Sequence, residues 1–467
     1  MQRQRFDDLL VVVPGIMGSV LTHEGRDLWT VEARKLLPAL LRFSSTRRIL
    51  ELPAGIGDGP PGDGVVATAL LPDLHAIPGF WTIDGYRALT EMLQQRFHLT
   101  EATRDTAGNL VCFAYDWRLS NRLNGERLAA RAEQELRRWR RHSGNGDARF
   151  VFLCHSMGGL VARWFIDVLG GHADTRTLIT IGTPYQGAAP ALDALVNGVH
   201  PGLGPLRPNL SSLVRSFPSV YQLLPVYPAI DTGGSGLVRP ADAILPNLGS
   251  GMKQMIDDAA DFHATLAAQT AAHRGDYQIY ALKGHLQPTD QIAHLQDHGL
   301  ELDDLEGDPE SPQGDGTVPR NSSHPPEWGS EVGHPVQAFA QAHASLQNTD
   351  ALHVSLHRIL TADRLGRTLG GSSISVHTPD LVPAGEPVPV TVRAAAGGLA
   401  LKACIDDRTD RGVLLRNDGS GRYSARLPPP RRDAHTVTVY SATPLRPVDP
   451  VTTVVTVWDD DLEPVER

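Results

Sequence analysis

Two patterns of hydrophobic and polar positions divide the chain near residue 370. Before that point, continuous apolar runs near residues 9, 110, 150, 177 and 277 alternate with segments whose apolar positions recur every three or four residues. Continuous apolar runs are typical of parallel strands buried on both faces, and the longer period is typical of amphipathic helices. This alternation predicts an α/β fold with a mostly parallel sheet and right-handed crossovers.

The helical period is clearest in three segments. They run from Tyr86 to Phe97, from Gly125 to Arg141 and from Gly158 to Leu169, and a stretch from Leu352 to Leu360 predicts a final helix. Arginines are frequent in the second segment, but acids and leucines are interspersed among them. That mixture favours a solvated helix face over a surface that binds nucleic acid.

Beyond residue 370 the pattern shortens to an alternation of apolar and polar positions. The alternating segments cover residues 374–377, 388–392, 423–427, 436–440 and 454–458, with Pro, Gly and Asp between them. Short strands at this spacing are typical of a small β-sandwich. We therefore expect one domain over residues 1–370 and an all-β domain over 371–467, whose role would be packing, lipid docking or binding of an unknown partner protein.

Two stretches of the first domain interrupt the alternation of strands and helices. They span about residues 28–82 and 188–262, and contain the apolar runs 36–41 and 220–224 between proline and glycine breaks. Excursions of this kind often form a cap over the pocket of an α/β fold. Any contact with a membrane is expected to be peripheral and to use this cap.

A serine lies where the third apolar run ends. The run 150–154 leads into His155-Ser156-Met157-Gly158-Gly159. A strand that turns sharply into a helix through a serine with small neighbours is the nucleophile elbow of an α/β-hydrolase. Cys154 replaces the glycine usually found two positions before the serine, which is a mild change because cysteine is small and readily buried. The alternative is a serine that merely caps the following helix.

An acid and a histidine follow in the order that this fold requires. Asp315 lies between two glycines in Gly314-Asp315-Gly316-Thr317-Val318-Pro319, and His343 precedes the predicted final helix. A simple Asp-Gly turn is the alternative for the acid. His324 and His334 lie on nearby loops and could take the place of His343, which could also simply bond to backbone.

The first apolar run ends in a glycine-bracketed turn, Pro14-Gly15-Ile16-Met17-Gly18-Ser19. Such a turn lets the backbone approach a reacting carbonyl group, with the N–H of Ile16 as one oxyanion donor and the N–H of Met157 as the other. A plain turn after a strand is the alternative. In the motif Tyr115-Asp116-Trp117-Arg118, we expect Arg118 to bind both carboxylate oxygens of Asp116 and Trp117 to pack in the interior. Direct contact between Trp117 and the substrate is the alternative.

Four motifs in this order resemble the lecithin:cholesterol acyltransferase-like α/β-hydrolases, a group of lipases, phospholipases and acyltransferases. They are Val13-Pro14-Gly15-Ile16-Met17-Gly18-Ser19, Tyr115-Asp116-Trp117-Arg118, His155-Ser156-Met157-Gly158-Gly159 and Gly314-Asp315-Gly316-Thr317-Val318-Pro319. The resemblance covers residues 8 to about 362. It implies Ser156, Asp315 and His343 as a catalytic triad, with Ile16 and Met157 at the oxyanion hole. The chain lacks the disulfide-closed loop of the vertebrate extracellular enzymes, which argues against lipoprotein or cholesterol as substrate.

Composition and net charge limit the kinds of partner that the protein is expected to bind. The 467 residues carry a net charge of −10, and 41% of them are hydrophobic. This charge argues against nucleic acid as a partner and gives no attraction to anionic lipid surfaces. The amino terminus does not have the features of a signal peptide, and no apolar run reaches 18 residues. We therefore expect a cytoplasmic protein.

The sequence gives no reason to expect a cofactor or metal. Three cysteines, Cys112, Cys154 and Cys404, imply no disulfide framework. The sequence has no cluster of Cys and His residues that would predict a zinc site. The acidic segment 297–310 lacks the spacing of a calcium-binding EF-hand, and we expect it to be a solvated loop.

The sequence thus predicts a serine hydrolase that cleaves or transfers the acyl group of an ester, with a lipid as the expected substrate. The alternative from another class is a catalytically silent α/β-hydrolase that serves as a lipid-binding or scaffold module. The intact chain order of serine, aspartate and histidine argues against that alternative.

Overall fold

The computed structural model describes most of the chain: residues 3–29, 44–72, 74–77, 81–200, 209–234, 236–273, 275–305, 314–329, 331, 333–369, 374–379, 381–394, 398–406, 408–431, 434–443, 448 and 451–458. The chain divides into two compact units, Met1–Val354 and Ser355–Arg467. This division falls inside the helix Asp350–Leu369, upstream of the expected boundary near residue 370. Whether the chain can be cut near residue 370 into separately folding parts stays a prediction.

A six-stranded sheet with all strands parallel forms the centre of the first unit. Its strands lie in the order Val336–Phe339, Gln278–Gly284, Thr175–Ile181, Phe150–His155, Leu9–Val13 and Leu110–Cys112. The predicted parallel α/β architecture is therefore confirmed. The edge strand Val336–Phe339 was not predicted, because its four residues are half-buried or exposed and have no continuous apolar run.

The central strands are those with the longest apolar runs. Every residue of Leu9–Val13 and of Phe150–His155 is buried. Their register places Val13 beside Cys154, and His155 beside Ile181 of the next strand. Three strands thus end at one edge of the sheet, and the turns that leave them meet there, as is usual for sites in open α/β sheets.

The crossover helices broadly match the predicted segments. The first is Arg87–Arg96. The second, Asn121–Ser143, begins earlier than expected because Ser120 caps it by accepting a hydrogen bond from Leu123 N–H at 3.1 Å. The third predicted helix is α-helical over Gly158–Arg163 and continues as a π-helix over Trp164–Val168.

The segment 188–262 contributes several helices. They are Ala189–Val196, Ser211–Arg215, Pro218–Tyr221 and most of Ser250–Ala272. A four-stranded sheet of Leu237–Val238, Ile230–Asp231, Ile292–Gln296 and Gly299–Asp303 lies in the same unit. The expectation of a loop over 297–310 is wrong for residues 299–303, which pair with the strand 292–296; residues 306–310 lie outside the described part.

The segment 28–82 is described in part. A helix Ser44–Leu50 and a three-stranded sheet of Arg26–Trp29, Ser19–His23 and Val65–Leu70 belong to it or adjoin it. The apolar run 36–41 lies outside the described residues. The remaining short elements of this unit are the strand pairs Gln4–Arg5 with Phe97–His98 and Leu74–Ile77 with Trp81–Asp84, and the 3₁₀ helices Gly171–Asp174, Pro240–Asp242, Arg320–Ser322, Pro326–Trp328 and His343–Asn348.

The second unit is a β-sandwich, as predicted. One sheet has the order Ile374–His377, Val388–Ala394, Arg422–Leu427 and Arg416–Gly419, and the other has the order Leu381–Pro383, Val451–Trp458, Ala434–Ser441, Leu401–Ile405 and Val413–Leu414. All pairs are antiparallel except the first pair of the second sheet. Val390 from one sheet and Leu401 and Val437 from the other share a core. A short 3₁₀ helix, Thr409–Arg411, completes the unit.

In the part of the chain that the structure describes, no helix has the length and apolar character needed to cross a membrane. The three cysteines are free thiols in this structure.

Candidate active site

Ser156 lies on the turn between the strand Phe150–His155 and the helix Gly158–Arg163. Its φ is +53°, a left-handed conformation that is strained for a serine and persists only where surrounding structure holds it. Two hydrogen bonds do so: Ser156 N–H donates to the Ile181 carbonyl at 2.8 Å, and Thr183 Oγ1 donates to the Ser156 carbonyl at 2.9 Å. The elbow is therefore fixed from the neighbouring strand.

The small residues around the serine are required by close approach of the backbone. A Cβ on Gly158 would lie 2.3 Å from the Pro14 carbonyl oxygen, and one on Gly159 would lie 2.2 Å from Thr183 Oγ1. These distances are shorter than any real carbon contact, so neither position has space for a side chain. The elbow and the turn after the first strand are thus packed directly against each other.

The structure brings the three predicted triad residues together. His343 Nε2 lies 2.9 Å from Ser156 Oγ, and His343 Nδ1 lies 2.7 Å from Asp315 Oδ2. All three side chains are buried. Because a carboxylate oxygen accepts, Nδ1 carries the proton and donates it to Asp315, which leaves the Nε2 lone pair facing the serine hydroxyl. This is the arrangement in which a histidine can take a proton from a serine.

Backbone groups orient the aspartate. Asp315 Oδ1 accepts hydrogen bonds from Thr317 N–H at 3.0 Å and from Val318 N–H at 2.7 Å. The N–H of His343 also donates to the Asp315 carbonyl at 2.8 Å. One carboxylate oxygen is thus held by the turn, and the other is directed at the imidazole.

The two alternative histidines have other neighbours. His324 Nδ1 lies 3.6 Å from Glu331 Oε1, and burial lowers the pKa of this histidine despite that acid. His334 stacks on Trp328, with ring centroids 4.4 Å apart and planes 3° apart. His343 is the histidine that the structure places against Ser156.

Gly182 is a site residue that the sequence patterns did not single out. Its φ is +58°, and a Cβ there would lie 3.0 Å from His343 Nδ1 and 3.1 Å from Asp315 Oδ2. The signal was available, since this glycine directly follows the apolar strand Thr175–Ile181, but its partners lie far away in the chain. A side chain at this position would press on the hydrogen bond between the histidine and the aspartate.

The predicted oxyanion loop is compact and strained. Gly18 N–H donates to the Gly15 carbonyl at 3.1 Å, and Met17 has a φ of +59°. Ile16 and Met157 are both buried. In the described part of the chain, no hydrogen bond uses the backbone N–H of either residue as donor. Buried N–H groups without a partner are rare in folded proteins, and they are what an oxyanion hole requires.

A cavity of about 140 Å³ opens beside the nucleophile. Its walls are mostly apolar and include Ile16, Met17, Val214, Phe217, Val220 and Leu223. Two of these, Val220 and Leu223, come from the apolar run predicted to belong to the cap. Larger cavities of about 450 and 900 Å³ are lined by other residues, so size alone does not identify the site.

One acid, Asp193, lines this cavity. Burial raises the pKa of its carboxyl group, and a hydrogen bond from Asn197 opposes that rise. Asp193 and Thr317 add polar positions to a wall that is otherwise mostly apolar.

The motif at residues 115–118 has a structural role, as expected. Arg118 Nε and Nη2 donate to the two carboxylate oxygens of Asp116 at 2.9 and 2.7 Å, and Nη2 also bonds Asp63 at 2.9 Å. Trp117 is buried, contacts the rings of Trp29 and Phe217 edge-on, and donates its indole N–H to a backbone carbonyl at 3.2 Å. These hydrogen bonds and ring contacts explain why the motif has these residues without a role in substrate binding.

His172, His273 and Asp276 come close enough to be considered as metal ligands. Their ligand atoms lie within 4.8 Å of one another. The two imidazole rings, however, are stacked, with centroids 3.6 Å apart and planes 17° apart. A ring nitrogen directs its lone pair within the ring plane, so two nearly parallel rings cannot both address one ion. We assign no metal to this cluster.

Comparison with protein families supports the resemblance seen in the motifs. The sequence model for lecithin:cholesterol acyltransferase matches residues 73–298. Over this stretch the chain is similar to the lecithin:cholesterol acyltransferase family. The matched stretch contains Ser156 but ends before Asp315 and His343. At the coarse level that such a match allows, it supports an ester hydrolase or acyltransferase that acts on lipids.

Solved structures align with this chain at low identity. The mature lipase BlEst2 of Bacillus licheniformis covers 77% of this chain and 94% of its own, with 12% identity and a TM-score of 0.36. Phospholipase PlaB of Legionella pneumophila covers 97% of this chain and 92% of its own, with 11% identity and a TM-score of 0.31. No curated protein matches the sequence.

Proposed function

We propose that the protein is a serine hydrolase that cleaves or transfers the acyl group of a lipid ester through an acyl-enzyme on Ser156. One observation carries the proposal: His343 bridges Ser156 Oγ at 2.9 Å and Asp315 Oδ2 at 2.7 Å in a buried site. A base hydrogen-bonded to a nucleophile and oriented by a third group is the signature of nucleophilic catalysis.

The first half-reaction follows from this geometry. Ser156 Oγ attacks the ester carbonyl carbon while His343 Nε2 takes the hydroxyl proton, and Asp315 stabilises the imidazolium ion that forms. The N–H groups of Ile16 and Met157 donate to the oxyanion of the tetrahedral intermediate. His343 then gives its proton to the departing alcohol oxygen as the carbon–oxygen bond breaks, which leaves the acyl group on the serine.

The second half-reaction repeats these steps with a new nucleophile. Water or an alcohol gives its proton to His343 Nε2 and attacks the acyl-enzyme, and the Ser156 oxygen leaves with the proton that His343 returns. Water yields hydrolysis, and an alcohol yields acyl transfer. The outcome depends on how well the site excludes water once the acyl group is in place.

The cavity favours a hydrocarbon chain as the acyl group. Val214, Phe217, Val220 and Leu223 line the same cavity as Ser156. Each methylene moved from water onto such a wall contributes about 0.8 kcal/mol. An acyl chain is therefore a better match than a charged or strongly polar group, which supports a lipid ester as substrate.

A fluorophosphonate probe, which phosphonylates activated serines, tests the proposal. We expect wild type to be labelled on the peptide that contains Ser156, with labelling lost in Ser156→Ala and in His343→Ala. Ser219→Ala is a matched control, because this serine is also buried and its Oγ bonds a backbone carbonyl. Absence of labelling in folded wild type would instead support a silent lipid-binding or scaffold module. Equal labelling in Ser156→Ala would show that the reactive residue is not Ser156.

A further inference from the structure

Tyr86 and His155 form a chain of hydrogen bonds that joins the oxyanion loop to the catalytic histidine. Gly15 N–H donates to Tyr86 Oη at 2.8 Å, Tyr86 Oη lies 2.9 Å from His155 Nδ1, and His155 Nε2 lies 3.3 Å from the His343 carbonyl oxygen. Tyr86 and His155 are 1% and 3% exposed. Because water does not reach these groups, each must find its partner within this chain of bonds.

The position of each proton follows from the chemistry of the two ends. A carbonyl oxygen can only accept, so His155 Nε2 carries a proton and donates it to His343. An uncharged ring then has a lone pair on Nδ1, which accepts from the Tyr86 hydroxyl. The hydroxyl oxygen in turn accepts from Gly15, whose N–H can only donate. Each ring nitrogen of His155 therefore has one role, which fixes a single tautomer.

The surroundings keep His155 uncharged. Burial, together with the nearby charge of His343, lowers the pKa of His155 to about 3. The centroids of the two rings are 5.2 Å apart. During catalysis His343 becomes positively charged, and an uncharged neighbour avoids repulsion at this short distance.

We propose that Tyr86 and His155 are positioning residues that hold the catalytic base and the oxyanion loop in register with each other. The inference rests on the proposed function of Ser156. His343 is held at its backbone on two sides, since its N–H donates to the Asp315 carbonyl at 2.8 Å and its carbonyl accepts from His155. The same tyrosine hydroxyl holds Gly15, where a Cβ would lie only 2.9 Å from Ser156 Cβ.

If the catalytic base and the oxyanion loop lose their relative position, the chemical step should be affected and substrate binding should not. Neither Tyr86 nor His155 lines the cavity beside the nucleophile. Tyr86→Phe keeps the ring and removes the hydroxyl, so that the Gly15 N–H and His155 Nδ1 both lose their partner. Since small displacements of a catalytic group can cost as much as about 100-fold in rate, we expect kcat to fall about 10- to 100-fold with KM changed less than about twofold.

His155 supplies a conservative rescue. Glutamine at this position retains an N–H donor near the place of Nε2, whereas leucine retains the volume and offers no donor. We expect His155→Gln to keep several times more of the wild-type kcat than His155→Leu. The double variant Tyr86→Phe/His155→Gln should be less impaired than the product of the two single losses, because both changes break one chain of hydrogen bonds.

The test measures kcat and KM on p-nitrophenyl butyrate, with thermal unfolding of each variant. Tyr185→Phe is the matched control: Tyr185 is also buried, and its hydroxyl bonds Thr180 Oγ1 at 2.9 Å without contact to His155. We expect kcat within about twofold of wild type for this control. Folded Tyr86→Phe with wild-type kcat would overturn the inference, as would equal losses in Tyr86→Phe and Tyr185→Phe or in the two His155 variants. If wild type itself neither turns over nor is labelled at Ser156, the proposed function fails first and the inference fails with it.

Discussion

The carboxyl edge of the parallel sheet and the C-terminal sandwich bury their side chains in different ways. At the sheet edge the structure buries Ser156, Asp315 and His343 together. In the described part of the second unit, the buried polar side chains are those of Thr378 and Thr438. Burial of polar groups is costly unless they are fully hydrogen-bonded, so a dense polar network marks the place where a fold is under functional constraint.

Backbone strain shows the same contrast. Ser156 and Met17 hold left-handed backbones at buried positions of the first unit, next to the cavity. The corresponding residues of the second unit, Asp406 and Ser420, are exposed. Strain at exposed turns is common, whereas strain in a buried polar cluster requires surrounding structure to maintain it. The comparison assigns the chemistry to the first unit and leaves the sandwich without a comparable cluster among its described residues.

The largest expected effect is loss of a triad residue. Ser156→Ala, His343→Ala and Asp315→Asn should each lower kcat by on the order of 10⁴-fold, because the three side chains act as a unit. A variant of the sandwich, His435→Ala, should keep wild-type kcat. Steady-state kinetics with a soluble ester measures both. A loss of similar size in His435→Ala would break the contrast between the two units.

A side chain at Gly182 should be nearly as harmful. Gly182→Ala places a Cβ 3.0 Å from His343 Nδ1, and we expect kcat to fall about 100-fold through displacement of the imidazole. Gly144→Ala is the control, since its φ is +69° but no atom lies within 4 Å of the added Cβ. Both variants carry similar backbone strain. Equal activity in the two would show that space around His343 does not limit catalysis.

The cavity predicts a dependence on acyl length. Two added carbons should raise kcat/KM severalfold, since each buried methylene contributes about 0.8 kcal/mol, until the cavity is filled. Leu223→Ser and Val220→Ser should flatten this rise while sparing the two-carbon ester. Values of kcat/KM for p-nitrophenyl esters of increasing chain length, in wild type and in both variants, measure this dependence. A wild type that prefers acetate, with no gain from longer chains, would contradict a lipid substrate.

Acid should destabilise the first unit through buried, uncharged histidines. Burial, with the charges of Arg163 and Arg122, lowers the pKa of His263 to about 4, although its hydrogen bond to the Gln222 carbonyl opposes the shift. Below about pH 6.5 the unfolded chain takes up a proton that the folded protein does not, so stability from this residue is present above that pH and is lost toward pH 4. The free energy of unfolding should fall by roughly 3 kcal/mol through this residue.

Unfolding by denaturant at several pH values measures this loss. His263→Gln keeps a donor for the Gln222 carbonyl and removes the titration, so its free energy of unfolding should fall less steeply between pH 6.5 and 4. The same slope in wild type and variant would show that the histidine does not stay uncharged in the folded protein.

The smallest effect is expected from removal of the sandwich. If residues 372–467 fold on their own, limited proteolysis should cut near Gly370–Ser373, and the fragment ending near 370 should hydrolyse a small soluble ester at close to the wild-type rate. An unfolded or inactive fragment would show that the two units depend on one another.

Local patterns predicted much of this structure because the central strands and the elbow depend on residues close in sequence. Leu9–Val13 and Phe150–His155 are apolar throughout, and Ser156 lies in a short motif. The helix Ser250–Ala272 was not predicted, since its buried positions include Ala259, His263 and Thr270, which weaken the apolar period.

Contacts between distant segments could not be read from local patterns. Tyr86 is 69 residues from His155, and Gly182 approaches His343 and Asp315 only in the folded chain. Their roles depend on how strands are ordered in the sheet. The cytoplasmic location and the partner of the sandwich stay predictions.

The central claim is that the acyl group passes through Ser156. The most direct measurement is mass spectrometry of wild type quenched by acid during turnover of p-nitrophenyl butyrate, followed by peptide mapping. The account predicts a butyryl group on the peptide that contains Ser156 and none in Ser156→Ala. Turnover with no acyl peptide, or with the acyl group on another residue that persists in Ser156→Ala, would contradict it.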